Sequence, residues 1–485
     1  MPSQMPSPIT RPINRHVLTV PARGGKPARK VHYRRCGSGP ALLMVHQSPR
    51  SSSEYTELMR EWAAHFTCIA PDTPGFGQSD PLPGQGDEGP EINDFADAIL
   101  EFADALGIAP CAAYGFHSGG IILVTAIKRR PDAFRCLAVG GYAIWTEEEM
   151  RIFGESYLPE FVPQPYGEHL AWIWNRILEQ SWVFPWFDTR EEARLPIAHA
   201  DVAQVAQTVS ELLDAGEHYR AGYGAVLRAP RDIPAADAQV PPCLISAYDG
   251  DPLQAHIDRL GEMPASWSAR KVATPKEHQD ASLAFLREHA GTDPCDALPE
   301  DEHEGWLELE GGLVHWKGAR GGRLCLHGPA QDLSDPAEGQ IAIDVPGHGQ
   351  SEPFASPRAG GDLPAPGSRP RGSAQGLKDV VEAAADTLGA EGIDWPAPPA
   401  GDPDRLYPDM TPDRFGLYLH RAWQVARAEA FFSPWYEANA AHAVPLTPEA
   451  IATPAVHARA LARIRAGDAA RRWHETLANI QGEPR

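Results

Sequence analysis

The string Tyr114-Gly-Phe-His-Ser-Gly-Gly120 carries the most chemically suggestive spacing in the sequence. Apolar runs at 109–113 and 121–127 flank it, so it reads as a strand, a glycine-pinched turn and the opening of a helix. Gly115 and Gly119 stand two residues before and two after His117, which centres the turn on that histidine with Ser118 beside it. A tight strand-to-helix turn strains its central residue and presses its neighbours against other backbone, hence the small residues on both sides. An imidazole at such a tip is substantially neutral at pH 7. It needs no separate base to become nucleophilic, and it can instead serve as general base on water. Ser118 is the alternative nucleophile, in a shifted turn that would force Phe116 into a place preferring glycine. A third reading is an inactive turn in a protein that only binds a ligand or partner.

The surrounding elements are those of a layered α/β domain. Alternating residues at 16–20 and 30–33 flank a Gly/Pro turn and predict an antiparallel hairpin. Short apolar runs at 41–45, 67–70, 135–140 and 242–248 predict buried strands. Between them, Ile92, Phe95, Ala96, Ile99, Phe102 and Leu106 recur at three and four, the period of an amphipathic helix. Short apolar strands alternating with helices predict a mostly parallel sheet covered on both faces. From 146 to 230 the strand pattern gives way to helices rich in aromatics: Trp172, Trp174, Trp182, Phe184, Trp186 and Phe187. A helical insertion beyond the carboxyl ends of strands is well placed to roof a ligand crevice, so Trp172, Trp174, Trp182 and Trp186 are candidate pocket walls as well as packing residues.

The sequence then repeats itself. Ile341-Ala-Ile-Asp-Val-Pro-Gly-His-Gly-Gln-Ser-Glu-Pro353 mirrors Ile69-Ala-Pro-Asp-Thr-Pro-Gly-Phe-Gly-Gln-Ser-Asp-Pro81. In the helical region the match runs at a constant offset of 249 (412 − 163): Pro163/Pro412, Gly167/Gly416, Leu170/Leu419, Trp174/Trp423, Pro185/Pro434, Trp186/Trp435 and Pro196/Pro445. The C-terminal part therefore reads as a second, worn copy. Where the first copy has its glycine-pinched turn, the second has only Ile393-Asp-Trp-Pro-Ala-Pro-Pro399. The expected division is a core of 1–145 plus 231–291, a helical lid at 146–230, a degenerate second core at 292–403 and a second lid-like region at 404–485. The Pro/Gly-rich stretch 353–376 reads as a loop or linker.

The element order, the His46-Gln-Ser-Pro49 after one strand, the Asp72-Thr-Pro-Gly-Phe-Gly-Gln-Ser79 after the next, the turn and the helical insert together resemble the α/β-hydrolase family over 17–291. Some hydrolase-like proteins resemble this one in carrying G-x-H-[ST]-G at the same turn. The resemblance implies an α/β-hydrolase fold in which the central elbow residue, His117, attacks a carbonyl. The Ser118 N–H and a donor from Gln47 or Ser48 would hold the oxyanion. Asp251, with Asp249 in reserve, would be the acid, and His278 the late-loop base. Phe116 would border the substrate. The implied activity is hydrolysis of an ester, thioester, amide or activated C–C bond in a small apolar molecule. The alternatives are a non-catalytic binding or scaffold protein, and a lyase or cofactor-free oxygenase on the same scaffold.

Composition narrows the partners. With 43 basic and 65 acidic residues the chain carries a formal charge of −22 and no basic tract, which argues against nucleic acid and anionic membrane. Seven scattered cysteines without C-x-x-C spacing read as reduced core thiols, and the polar, Pro-rich N-terminus lacks a secretory h-region, so a cytoplasmic protein is expected. No histidine spacing suggests a metal, and no cofactor is expected. The expected partner is a small-molecule substrate, with the two copies packed together within the chain and homodimerisation left open.

Overall fold

The computed structural model describes residues 12–84, 89–196, 198–230, 232–296, 298–353 and 374–482. The N-terminal segment through residue 11 and the Pro/Gly-rich stretch from 354 to 373 lie outside the described residues. The chain divides into two compact units: one of 1–161 and 176–300, the other of 162–175 and 301–485.

The first unit is built on an eight-stranded sheet. Its strands are β1 (Asn14–Val20), β2 (Arg29–Gly37), β3 (Ala41–Val45), β4 (Thr67–Pro71), β5 (Cys111–Phe116), β6 (Phe134–Gly140), β7 (Cys243–Tyr248) and β8 (Trp267–Val272), in the order β1-β2-β4-β3-β5-β6-β7-β8. β1/β2 and β2/β4 pair antiparallel, and every pairing from β4 onward is parallel. The central strands are buried on both faces, which is why they read as unbroken apolar runs and not as alternation. Helix Ile92–Leu106 buries the six residues of its three-four stripe on one face of the sheet, while Trp62, Phe66 and Leu286 close the other. The stretch just after residue 291, expected to open the second core at 292–403, clusters with this unit through residue 300: Cys295 N–H donates to Gly39 O at 2.7 Å.

The helical insert contains Glu147–Ser156, Glu168–Gln180, Val202–Ala215 and His218–Arg228. It was expected to be one lid over 146–230. Instead, 162–175 clusters with the second unit, where the buried Trp174 meets Tyr418 edge-to-face.

The second unit carries β9 (Glu304–Leu309), β10 (Gly312–Gly318), β11 (Arg323–Leu326), β12 (Gln340–Ile343) and β13 (Ile393–Asp394), in the order β9-β10-β12-β11-β13. β9/β10 and β10/β12 are antiparallel, β12/β11 and β11/β13 parallel, the same order and sense as β1-β2-β4-β3-β5. Side-chain bonding is matched as well. His32 Nδ1 meets Asp72 Oδ2 at 2.7 Å, and His315 Nδ1 meets Asp344 Oδ2 at 2.8 Å. Thr73 N–H donates to His46 Nε2 at 2.9 Å, and Val345 N–H to His327 Nε2 at 3.0 Å. Among the described residues no helix is long and apolar enough to cross a membrane.

Candidate functional site

β5 ends at Phe116 and helix Ser118–Arg129 begins two residues on, leaving His117 alone in the turn. Its backbone sits at φ 47°, ψ −112°, outside the regions an L-residue adopts easily. Such a conformation costs about 1–3 kcal/mol and persists only where the surroundings enforce it. They do so here. A Cβ on Gly119 would fall 1.9 Å from Val45 O, and one on Gly120 would fall 2.5 Å from Val139 Cγ1. His117 N–H is tied to Gly140 O at 2.8 Å, and Phe116 N–H to the buried Tyr55 hydroxyl at 3.2 Å.

The loop after β7 brings Asp251 under the turn. His117 Nε2 lies 3.1 Å from Asp251 Oδ1, which also accepts the Leu253 N–H at 2.8 Å; Oδ2 has no partner. Burial opposes ionisation of Asp251, but the charge and hydrogen bond of His117, with the Leu253 N–H, outweigh it and hold the carboxyl below its usual range. A carboxylate only accepts, so Nε2 carries a proton in either charge state, and in the neutral ring Nδ1 is the nitrogen with the lone pair. Gly141, at φ 58°, makes this pairing possible: a Cβ there would lie 2.4 Å from His117 Cδ2 and 2.8 Å from Asp251 Oδ2.

The remaining expected members are placed differently. His278 lies inside the first turn of helix Pro275–His289 and not on a loop before it. It is buried, with Nδ1 at 2.8 Å from Ser246 Oγ and Nε2 at 2.9 Å from the Tyr114 hydroxyl. Burial pulls its pKa down to about 4. With both ring nitrogens bonded and Phe116 packed against its ring as well as that of His117, His278 has no nitrogen to offer the elbow. Ser118, next to His117, is buried, and its Oγ accepts the Ser48 N–H at 2.6 Å. Both candidates for the second oxyanion donor have partners elsewhere. Ser48 N–H serves Ser118, while Gln47 gives both its backbone N–H (2.9 Å) and its side-chain amide (2.6 Å) to Glu54. The Ser118 N–H, in the first helical turn, has no intrahelical acceptor.

His117 opens on a cavity of about 330 Å³ inside the first unit. Its aromatic wall is Phe116, Trp145, Phe153, Tyr157, Phe184, Tyr223 and Tyr248. None of the four expected tryptophans lines it. Trp182 donates to His199 O, Trp186 stands behind the wall and donates to Tyr157 O, and Trp172 and Trp174 fall in the second unit. Trp145 stands five residues past the end of β6. Phe153/Tyr157 and Tyr219/Tyr223 are i,i+4 pairs on helix faces, a sequence signal that the denser tryptophans outshone.

Residues 40–193 match the family described as the alpha/beta hydrolase fold. The chain carries the alpha/beta hydrolase fold. Asp251 and His278 lie beyond the matched stretch of that fold. Haloalkane dehalogenase 2 of Mycobacterium bovis and that of Mycobacterium tuberculosis are each 30% identical over 138 residues, 28% of this chain and 47% of the relative. The chain thus spans about half the length of the curated relatives it matches. Among solved structures, it is similar to a thermophilic esterase from Thermogutta terrifontis (18% identity, TM-score 0.41, covering 58% of this chain and 99% of that one). Epoxide hydrolase A from Mycobacterium thermoresistibile (16%, 0.41, 59% and 99%) and the potato epoxide hydrolase (15%, 0.45, 57% and 100%) are further examples.

Proposed function

We propose that this chain is a hydrolase-type enzyme whose working group is His117, oriented by Asp251 and facing a small, largely apolar substrate in the aromatic cavity. The observation that carries the proposal is the His117 Nε2–Asp251 Oδ1 bond, which leaves Nδ1 as the basic nitrogen. Nδ1 adjoins the ring carbon that bears the main chain, so it is crowded for acyl transfer and better suited to moving a proton. In this scheme Nδ1 takes a proton from water, and the water oxygen bonds to the carbonyl carbon of an ester, thioester or amide. The imidazolium, stabilised by the Asp251 carboxylate, then returns the proton to the leaving group as its bond to that carbon breaks. The Ser118 N–H at the helix start is the donor available to the developing oxyanion.

A second reading has its own support. The engagement of the Gln47 and Ser48 N–H groups weakens oxyanion stabilisation, which favours His117 as a base on a substrate C–H or O–H, in a lyase or cofactor-free oxygenase. The second unit, in this proposal, is a degenerate copy that carries no elbow; its strand order and its matched His–Asp pair support that origin.

The test is a panel of p-nitrophenyl acyl esters offered to the protein and to His117→Ala, Ser118→Ala and His278→Ala. Loss of a general base costs about 10²–10⁴ in rate, so His117→Ala should lose that much while the other two retain turnover. Activity abolished in Ser118→Ala but kept in His117→Ala would defeat the proposal. Oxygen-dependent product release would favour the second reading, and tight ligand binding without turnover in any form would favour a binding protein.

A further inference from the structure

Within the second unit, residues 162–175 and 411–428 meet in a reciprocal way. Trp174 Nε1 donates to Arg414 O at 3.1 Å, and Trp423 Nε1 donates to Pro165 O at 3.4 Å. Trp174 takes Tyr418 edge-to-face at 5.8 Å, and Trp423 takes His169 edge-to-face at 4.9 Å. Gly167, at φ 85°, lies under the Trp423 ring, and Gly416, at φ 67°, lies under the Trp174 ring. Each pair turns into the other when 249 is added to one partner and subtracted from the other (165/414, 167/416, 169/418, 174/423).

Contacts in which i meets j′ and j meets i′ are the signature of a two-fold, self-complementary interface. Ordinary packing between unlike helices has no reason to repeat three kinds of contact with its partners exchanged. We infer that this contact is a homodimer interface folded into one chain: the surface of 162–175 is built to receive a second copy of itself, and residues 411–428 are that copy. The tether supplies its partner at high effective concentration, so the face is closed to other molecules. This inference stands whether or not His117 is catalytic. It also gives the second copy a role that does not need its chemistry.

The full-length chain should sediment as a monomer over a hundredfold range of concentration. Gly416→Val places a side chain against Trp174, where even a Cβ would lie 2.5 Å from the ring, and opens the contact while leaving the 162–175 face intact. Two such chains should then pair through that face and sediment as a concentration-dependent dimer. Gly167→Val should do the same through the intact 411–428 face, and the double variant, with neither face intact, should return to monomer. Folded single variants that stay monomeric would overturn the inference, as would a wild-type dimer that the double variant abolishes. Should either valine prevent folding, Trp174→Phe and Trp423→Phe each remove one indole N–H. The two should lower Tm equally, and a fall in only one would refute the two-fold.

Discussion

Asp251→Asn separates charge from orientation at the proposed site. Asp251 Oδ1 accepts from both His117 Nε2 and the Leu253 N–H, while Oδ2 has no partner. An asparagine can therefore keep its oxygen in the Oδ1 place and put its NH₂ where no group competes, so the His117 tautomer survives and only the negative charge is lost. Unit charges about 4 Å apart at an effective dielectric of about 20 interact by about 4 kcal/mol. If that attraction develops when the imidazolium forms, kcat should fall about a thousandfold with KM little changed. Asp251→Ala, which also releases the ring, should fall further. Nitrogen-15 NMR of the His117 side chain supplies the control: the proton should stay on Nε2 in Asp251→Asn. A kcat within threefold of wild type, with the tautomer unchanged, would refute the role given to the Asp251 charge.

His278→Phe should leave turnover within a few-fold of wild type. It should nevertheless destabilise the fold by about 1–3 kcal/mol for each of the two hydroxyls, Tyr114 and Ser246, that lose their partner; a urea titration beside the ester assay reads both. Stability should also fall on acidification. Burial lowers His32 and His278 to a pKa of about 4, so the unfolded chain takes up protons from about pH 6.5 downward while the native one does not. The contribution is complete above that window and lost as pH falls through it; a urea midpoint unchanged from pH 7 to about pH 5 would contradict the assignment. Gly119→Ala should fail to give soluble native protein, because its Cβ has no space beside Val45 O. Soluble protein with a wild-type Tm would show that the elbow is looser than described.

Much of the fold was legible because its elements announce themselves locally. Buried parallel strands appear as unbroken apolar runs such as 41–45 and 243–248, and the elbow is written in Gly115, Gly119 and Gly120. The position of Asp251 beside His117 was legible because it stands three residues past the end of β7. His278 was expected on a loop because a short run before a helix resembles one. Yet Thr274 at the N-cap, Pro275 at the first helical position and Glu277 at the third already mark the helix as begun. The fate of the Gln47 and Ser48 N–H groups could not be read at all. It depends on Glu54 folding back over seven residues and on Ser118 reaching across 70, which no local pattern encodes. The split of the helical insert was hidden for the same reason, since which face of 162–175 is covered is settled by residues 240 or more positions away.

β13 lies at one edge of the second sheet. In the first unit β5 is flanked by β3 and β6, whereas among the described residues of the second unit β13 pairs with β11 alone and forms the edge of its sheet. An open edge is a template on which other chains can add strands. Here that edge is two residues long and runs straight into Trp395-Pro-Ala-Pro-Pro399, where prolines lack the N–H that a growing ladder requires. Those few residues thus make the β13 edge a poor template for a further strand.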